Sequence, residues 1–242
     1  MVKLAEPAEI RIILFDLDGT LRYNVPSYNE TFFNLAAEMG MADSQQKRLS
    51  ATRWVHYYWA QSPELVADMA QYETLSEDFW NYYWQRNLVR FGCSVEQAQG
   101  LAPEVLRRMR EEYHPQDYVP PQVFETLQAL KEAGFGMAVV SNRGTAFGEQ
   151  LTRLGLDEYF SFALAAGEIN SWKPDPGIFW HALERLEANP QQALYVGDNY
   201  YADVVGAQNA GLQAVLVDPE GIFPEAQCLV IRQVNELLAL LK

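Results

Sequence analysis

Cysteine is almost missing from this chain. Only Cys93 and Cys228 occur, far apart and with no Cys-x-x-Cys spacing. Neither a disulfide framework nor a cysteine-based zinc site is expected, and a reducing compartment fits. Histidine is nearly as scarce: His56, His114 and His181 have no second His or Cys at ligand spacing, so none reads as a metal ligand. Basic charge is short as well. The 18 Lys plus Arg stand against 32 Asp plus Glu, a formal net charge of −14, whereas binding along a nucleic-acid backbone needs clustered Lys and Arg. No apolar run approaches the roughly 18 residues of a membrane span, and the stretch from Met1 to Ile10 lacks the apolar region of a signal peptide. The expectation is a soluble cytoplasmic protein, monomer or homodimer, that binds neither nucleic acid nor membrane. What is present suffices for folding: 242 residues, 49% hydrophobic and 21% charged, enough for an ordinary core with room for an insertion.

Short β-branched runs recur at Arg11–Asp16, Gly136–Ser141, Ala193–Asp198 and Gln213–Asp218. A weaker run spans Phe160–Ala166, and Cys228–Ile231 offers a short edge strand. Continuous apolar runs of this length read as strands of a buried parallel sheet. Helical patterns lie between them at Val123–Ala133, Ala146–Leu154, Gly177–Glu187, Ala202–Ala210 and Val234–Leu241, with Gly134, Gly155 and Gly211 placed to cap three of these. Each main strand ends in Asp or Ser. The pattern predicts an α/β fold, a doubly wound, mainly parallel Rossmann-like sheet with its site at the carboxyl ends of the strands.

One stretch does not alternate. From about Tyr23 to Tyr118 the pattern is helical throughout, with capping signals at Ser27-Tyr28-Asn29-Glu30, Ser62-Pro63-Glu64 and Ser94-Val95-Glu96-Gln97. The division expected is a core of residues 1–21 and 119–242 and an all-helical inserted domain of residues 22–118. That insert is rich in aromatics: Trp54, Tyr57, Tyr58, Trp59, Trp80, Tyr82, Tyr83 and Trp84. They read first as the core of a small bundle; stacking on a substrate ring or forming a dimer contact are the functional alternatives.

The first strand runs into Asp16-Leu17-Asp18-Gly19-Thr20. Two acids two residues apart at a strand end, with Gly19 permitting a tight turn, suit an aspartate nucleophile beside an aspartate acid–base and a divalent cation that offsets their repulsion. Ser141-Asn142 ends the second strand where helix-start amides form an anion site. Lys173-Pro174-Asp175-Pro176 supplies one ammonium. Gly197-Asp198-Asn199 and Asp203 add acids at the fourth strand. Alone, each has an ordinary reading as a turn, a cap or a surface lysine. Their order along successive strand ends is what gives them weight.

That ordered set resembles the four motifs of the haloacid dehalogenase-like hydrolase superfamily, over Ile12 to Val217, and the insert between the first two motifs is similar to the superfamily's type 1 helical cap. The resemblance implies a Mg2+-dependent phosphatase acting on a small phosphorylated metabolite such as phosphoglycolate, a sugar phosphate or a nucleotide. It implies that Asp16 attacks phosphorus and becomes an aspartyl-phosphate, and that Asp18 protonates the leaving alcohol and later activates water. Asp16, Asp18 through its backbone carbonyl, and Asp198 would hold Mg2+. Ser141 and Lys173 would bind phosphoryl oxygens, with Asn142 and Thr20 also among the substrate-binding residues and Asp203 and Asn199 just behind. Dehalogenases that resemble this fold lack an aspartate at the position of Asp18, and Thr20 favours a phosphatase over a phosphomutase. A phosphomutase, a 2-haloacid dehalogenase or a non-catalytic phosphate-ligand binding module are the alternatives. The chain departs from the superfamily at Arg22-Tyr23-Asn24. Arg22, and Arg143 after the second motif, either meet a second anionic group on the substrate or sit solvated.

Overall fold

A computed structural model describes residues 9–241; the stretch expected to lack a leader therefore lies mostly outside the described residues. Among these, the chain forms two compact units, one of residues up to Tyr23 together with Asp117 onward, the other Asn24–Gln116.

The first unit is an α/β layer structure. Its elements in chain order begin with β1 (Ile12–Phe15) and β2 (Tyr23–Val25), whose last two residues lie in the second unit. The helices α1 (Tyr28–Glu38), α2 (Gln45–Trp59), α3 (Pro63–Gln71), α4 (Glu77–Arg90) and α5 (Val95–Glu112) make up the second unit. The chain returns through β3 (Gln116–Tyr118), α6 (Pro121–Glu132), β4 (Gly136–Ser141), α7 (Gly148–Leu154), β5 (Ala163–Ala165), α8 (Ala166–Ile169) and α9 (Gly177–Arg185). It finishes with β6 (Ala193–Gly197), α10 (Val205–Asn209), β7 (Gln213–Val217), β8 (Leu229–Ile231) and α11 (Leu237–Leu240).

All six runs expected as strands join one sheet in the order β5-β4-β1-β6-β7-β8, every neighbouring pair parallel. The chain builds outward from β1 to β5 on one side, then returns to β6 on the other, and ligands of open α/β sheets bind at such a reversal. Register makes the point concrete. Phe15 stands opposite both Val139 and Val196, so Asp16 on the central strand and, one residue further along, Ser141 and Asp198 on its two neighbours come together at the carboxyl ends of the strands. Every residue of β1 is buried, as expected for a strand covered on both faces. Gly134, Gly155 and Gly211 take φ of 85°, 70° and 88° at helix ends, the left-handed turn that glycine adopts without a Cβ penalty.

Two differences from the expected pattern bear on the site. The segment expected as a helix from Ala202 starts earlier as one π-helical turn, Tyr200–Val204, before α10. The Asn199 side chain caps that turn by accepting from the Tyr201 and Ala202 N–H groups. The ends of the helical stretch are not helical: β2 and β3 pair as a separate two-stranded sheet.

The second unit is a helical bundle with its own core. Ser27, Ser62 and Ser94 cap their helices, and Ser94 and Gln97 satisfy each other's backbone N–H. Trp54, Tyr58, Tyr83 and Trp84 are buried there with Phe32, Leu88 and Met109. Their rings meet at centroid distances of 4.9–5.5 Å, the spacing favourable for aromatic pairs. Tyr58 donates to buried Asp68 at 3.0 Å, and Arg86 donates to the same carboxylate at 2.9 Å, so the one acid inside this core is paired. No helix of the described residues is long and apolar enough to cross a membrane.

Candidate active site

Lys173 is the hub of the strand-end cluster. It is 2% exposed, and its Nζ donates to Asp16 Oδ1 at 2.7 Å, Asp203 Oδ1 at 2.6 Å, the Tyr195 hydroxyl at 2.8 Å and the Val140 carbonyl at 3.3 Å. Burial works to strip the proton from this ammonium, but the charges of Asp16 and Asp203 outweigh it and hold the group charged well above the usual lysine range. The side chain is aimed by its own backbone. The Asn142 amide accepts from the Lys173 N–H at 2.7 Å and donates to the Lys173 carbonyl at 2.8 Å, tying the end of β4 to the lysine loop. Both ends of the Asn142 side chain are thereby spent on backbone.

Asp16 is 6% exposed, and its N–H donates to the Val196 carbonyl at 2.9 Å, continuing the sheet ladder one residue past β1. Burial pushes its carboxyl up; Lys173 opposes this, and the charges of Asp203 and Asp18 add to it. Asp198 is also raised well above the usual carboxylate range, by burial first and then by the charges of Asp16 and Asp203. Gly19 lets these two acids approach. It takes φ of +87°, and a Cβ there would lie 2.2 Å from Asp198 Oδ2, so the turn after Asp16 receives the Asp198 carboxylate against bare backbone.

Asp203 is 1% exposed. Its second oxygen accepts from the Asn199 N–H at 2.9 Å, and it packs over Gly197, where a Cβ would lie 2.2 Å from it. Ser141 is buried at the end of β4. Thr20 is fully buried, and its hydroxyl has no partner among the described residues. Asp18 differs from these. Its side chain is 39% exposed and is paired with both Arg22 and Arg143. The structure thus brings Asp16, Lys173 and Asp203 into one buried cluster with Ser141 beside it, seats the half-buried Asp198 against Gly19, places Asp18 at the more open edge, and turns Asn142 and Asn199 to backbone.

Sequence reasoning did not single out Tyr195. Its hydroxyl accepts from Lys173 and donates to the Val140 carbonyl at 2.8 Å, and its ring packs edge-on against Phe179 at 5.0 Å. It sits inside an apolar strand run, where an aromatic residue is ordinary, so the sequence carried no signal for it. Among the described residues, no three His, Cys, Asp or Glu side chains converge as a metal cage. The expected metal position needs only two carboxylates and a backbone carbonyl, a donor set of hard oxygens that suits Mg2+. Asp16 and Asp198, crowded and, among the described residues, faced by Lys173 as cation, fit such an ion.

A buried lysine gripping one strand-end carboxylate, with further acids at the next strand of a doubly wound parallel sheet, defines an α/β enzyme that handles an anionic group. The chain belongs to the haloacid dehalogenase-like hydrolases, whose family model matches residues 13–217. It is 30% identical over 208 residues to a ribulose-1,5-bisphosphate 5-phosphatase of Halopiger xanaduensis, covering 86% of this chain and 84% of that one. It is 31% identical over 233 residues to a phosphoserine phosphatase of Thermus thermophilus, covering 89% and 91%. Among solved structures, a 2-haloacid dehalogenase from Pseudomonas syringae pv. Tomato DC3000 superposes with a TM-score of 0.54 at 26% identity, covering 96% and 98%.

Proposed function

We propose that this hydrolase is a Mg2+-dependent phosphatase that acts on a small phosphorylated metabolite through an aspartyl-phosphate on Asp16. The observation that carries the reading is the Lys173–Asp16 ion pair with Asp18 two residues further on and Asp198 seated against Gly19, the residue after Asp18. The names of both curated relatives above point the same way. The two free cysteines, Cys93 and Cys228, suit a reducing, cytoplasmic setting.

Lys173 occupies Asp16 Oδ1, which leaves Oδ2 to attack phosphorus in line. As the Asp16–phosphorus bond forms, the bond to the leaving oxygen breaks and Asp18 gives that oxygen its proton. Asp18, now a carboxylate, takes a proton from water as the water oxygen bonds to phosphorus; the Asp16–phosphorus bond breaks and inorganic phosphate is released. Lys173 offsets charge on the phosphoryl oxygens, Ser141 at the end of β4 offers them a hydroxyl, and Tyr195, Asp203 and Asn142 hold Lys173 in place. Mg2+, held by Asp16, the Asp18 carbonyl and Asp198, would add charge stabilisation at the phosphoryl group. Asp18 separates this reading from dehalogenation: a halide departs as a stable anion and needs no proton, whereas an alcohol leaving group does.

Hydrolysis of p-nitrophenyl phosphate tests the proposal. The expected result is Mg2+-supported turnover that stops on chelation and is abolished by Asp16→Asn without change in the circular dichroism spectrum. Turnover that survives chelation contradicts the metal requirement, and turnover that survives Asp16→Asn contradicts the nucleophile.

A further inference from the structure

Two cations beside the strand-end cluster, Arg22 and Arg143, have no part in the chemistry above. Both converge on the Asp18 carboxylate. Arg143 grips it at two points, Nε donating to Oδ2 at 2.9 Å and Nη2 to Oδ1 at 2.8 Å. Arg22 Nη1 donates to Oδ1 at 2.6 Å. The two guanidiniums are held from behind. Arg22 donates through Nε to Asp117 Oδ1 at 2.8 Å and through Nη2 to the same oxygen. Arg143 donates through Nη1 to Gln150, whose amide donates in turn to Asp117 Oδ2 at 2.9 Å. The Arg143 guanidinium also lies 5.0 Å from the centroid of the Phe147 ring, and Phe147 is buried. Cations fixed this way have lost most of their rotamer freedom before any ligand arrives, so little entropy remains to oppose binding.

We propose that Arg22 and Arg143 form the recognition site for a second anionic group on the substrate, a carboxylate carried by the leaving alcohol, and that the Asp18 carboxylate holds this place until substrate arrives. The inference rests on the phosphatase reading and narrows its substrate class to phosphate monoesters whose alcohol bears a carboxylate. Three observations support it. A fork that grips one carboxylate at two points offers the same geometry to a substrate carboxylate. Arg22 and Arg143 share the Asp18 carboxylate and Asp117 faces Arg22, so a further anion takes the place of Asp18 and does not join it. Both Asp18 oxygens accept hydrogen bonds from arginine in this arrangement, so leaving the fork frees Asp18 to serve the leaving oxygen. An anion that replaces it there, on the side of the acid–base residue, belongs to the leaving group. Substrate binding and release of the acid–base residue become one event.

The test compares matched phosphate esters with the purified full chain and Mg2+: 3-phosphoglycerate against glycerol 3-phosphate, and O-phosphoserine against phosphoethanolamine. The expected result is a preference of about tenfold or more in kcat/KM for the carboxylate-bearing member of each pair, the size of one charge-assisted interaction. In Arg143→Gln and in Arg22→Gln the ratio within each pair falls toward one. Arg143→Lys, which keeps charge but not the fork, carries the same comparison should the glutamine variant not fold. Equal hydrolysis within both pairs by the unmodified chain overturns the inference, as does an arginine variant that lowers all four esters by the same factor, the mark of arginines that only position Asp18. Hydrolysis of p-nitrophenyl phosphate with none of the four esters turned over also overturns it. No hydrolysis of any ester, the aryl phosphate included, counts instead against the phosphatase reading.

Discussion

Removing a lysine from water costs several kcal/mol of hydration, and Lys173 is tolerated at the strand ends because two carboxylates, a phenol and a carbonyl surround its ammonium. Each partner therefore matters more than its own bond. Tyr195→Phe keeps the ring against Phe179 but takes one acceptor from Lys173 and the donor from the Val140 carbonyl. It is expected to lower stability by about 1–3 kcal/mol and to lower kcat, with losses that are not additive with those of Lys173→Met in a double-mutant cycle. Full additivity in both kcat and denaturation midpoint would show that the hydroxyl does not act through the lysine. At this scale the charged residues were legible: Asp16, Asp18 and Asp198 stand where an apolar strand run ends and a carboxylate has no packing reason to be, and Lys173 and Asp203 follow in motifs of the same order along the chain. Tyr195, Asp117 and Gln150 were not. Tyrosine within a strand is an ordinary core residue, and the link from Arg22 through Asp117 and Gln150 to Arg143 exists only because the fold brings separate segments together.

Among the elements, the turn after β1 carries the tightest constraint. Gly19→Ala places a Cβ where Asp198 now packs and imposes a left-handed φ on an L-residue, a cost of about 1–3 kcal/mol. The variant is expected to remain folded at reduced stability and to require a higher Mg2+ concentration for half-maximal turnover. An unchanged Mg2+ dependence would mean that Asp198 does not need this turn to serve the site. The six strands of the main sheet were readable because continuous β-branched runs flanked by glycine and helical patterns have one economical arrangement. The strands β2 and β3 were not, being three residues each and mostly exposed, Tyr23-Asn24-Val25 and Gln116-Asp117-Tyr118, too short to show alternation. The π-helical turn at Tyr200–Val204 was also hidden. It brings Asp203 back to the Asn199 N–H and Lys173 by backbone hydrogen bonding that no residue pattern encodes, in keeping with the frequency of such turns at functional sites.

At the scale of the molecule, two cores serve different ends. The bundle of residues 24–116 packs Trp54, Tyr58, Tyr83 and Trp84 into its own core, so half of the aromatics that stand out in the sequence of this unit are spent on packing. The chemistry belongs to a few buried groups in a chain whose net charge of −14 repels a phosphate ester at long range. Attraction therefore has to be local, and Lys173 with the Arg22–Arg143 pair supplies it at the strand ends. In the proposed mechanism Asp16 becomes phosphorylated. The most direct measurement uses Asp18→Asn with p-nitrophenyl phosphate, whose leaving group departs without a proton while hydrolysis of the intermediate lacks its base. The expected result is an intact mass raised by one phosphoryl group, labile to hydroxylamine and mapped by peptide sequencing to Asp16. Release of nitrophenol by this variant with no phosphoryl group on the protein, or with the group on any other residue, would contradict it.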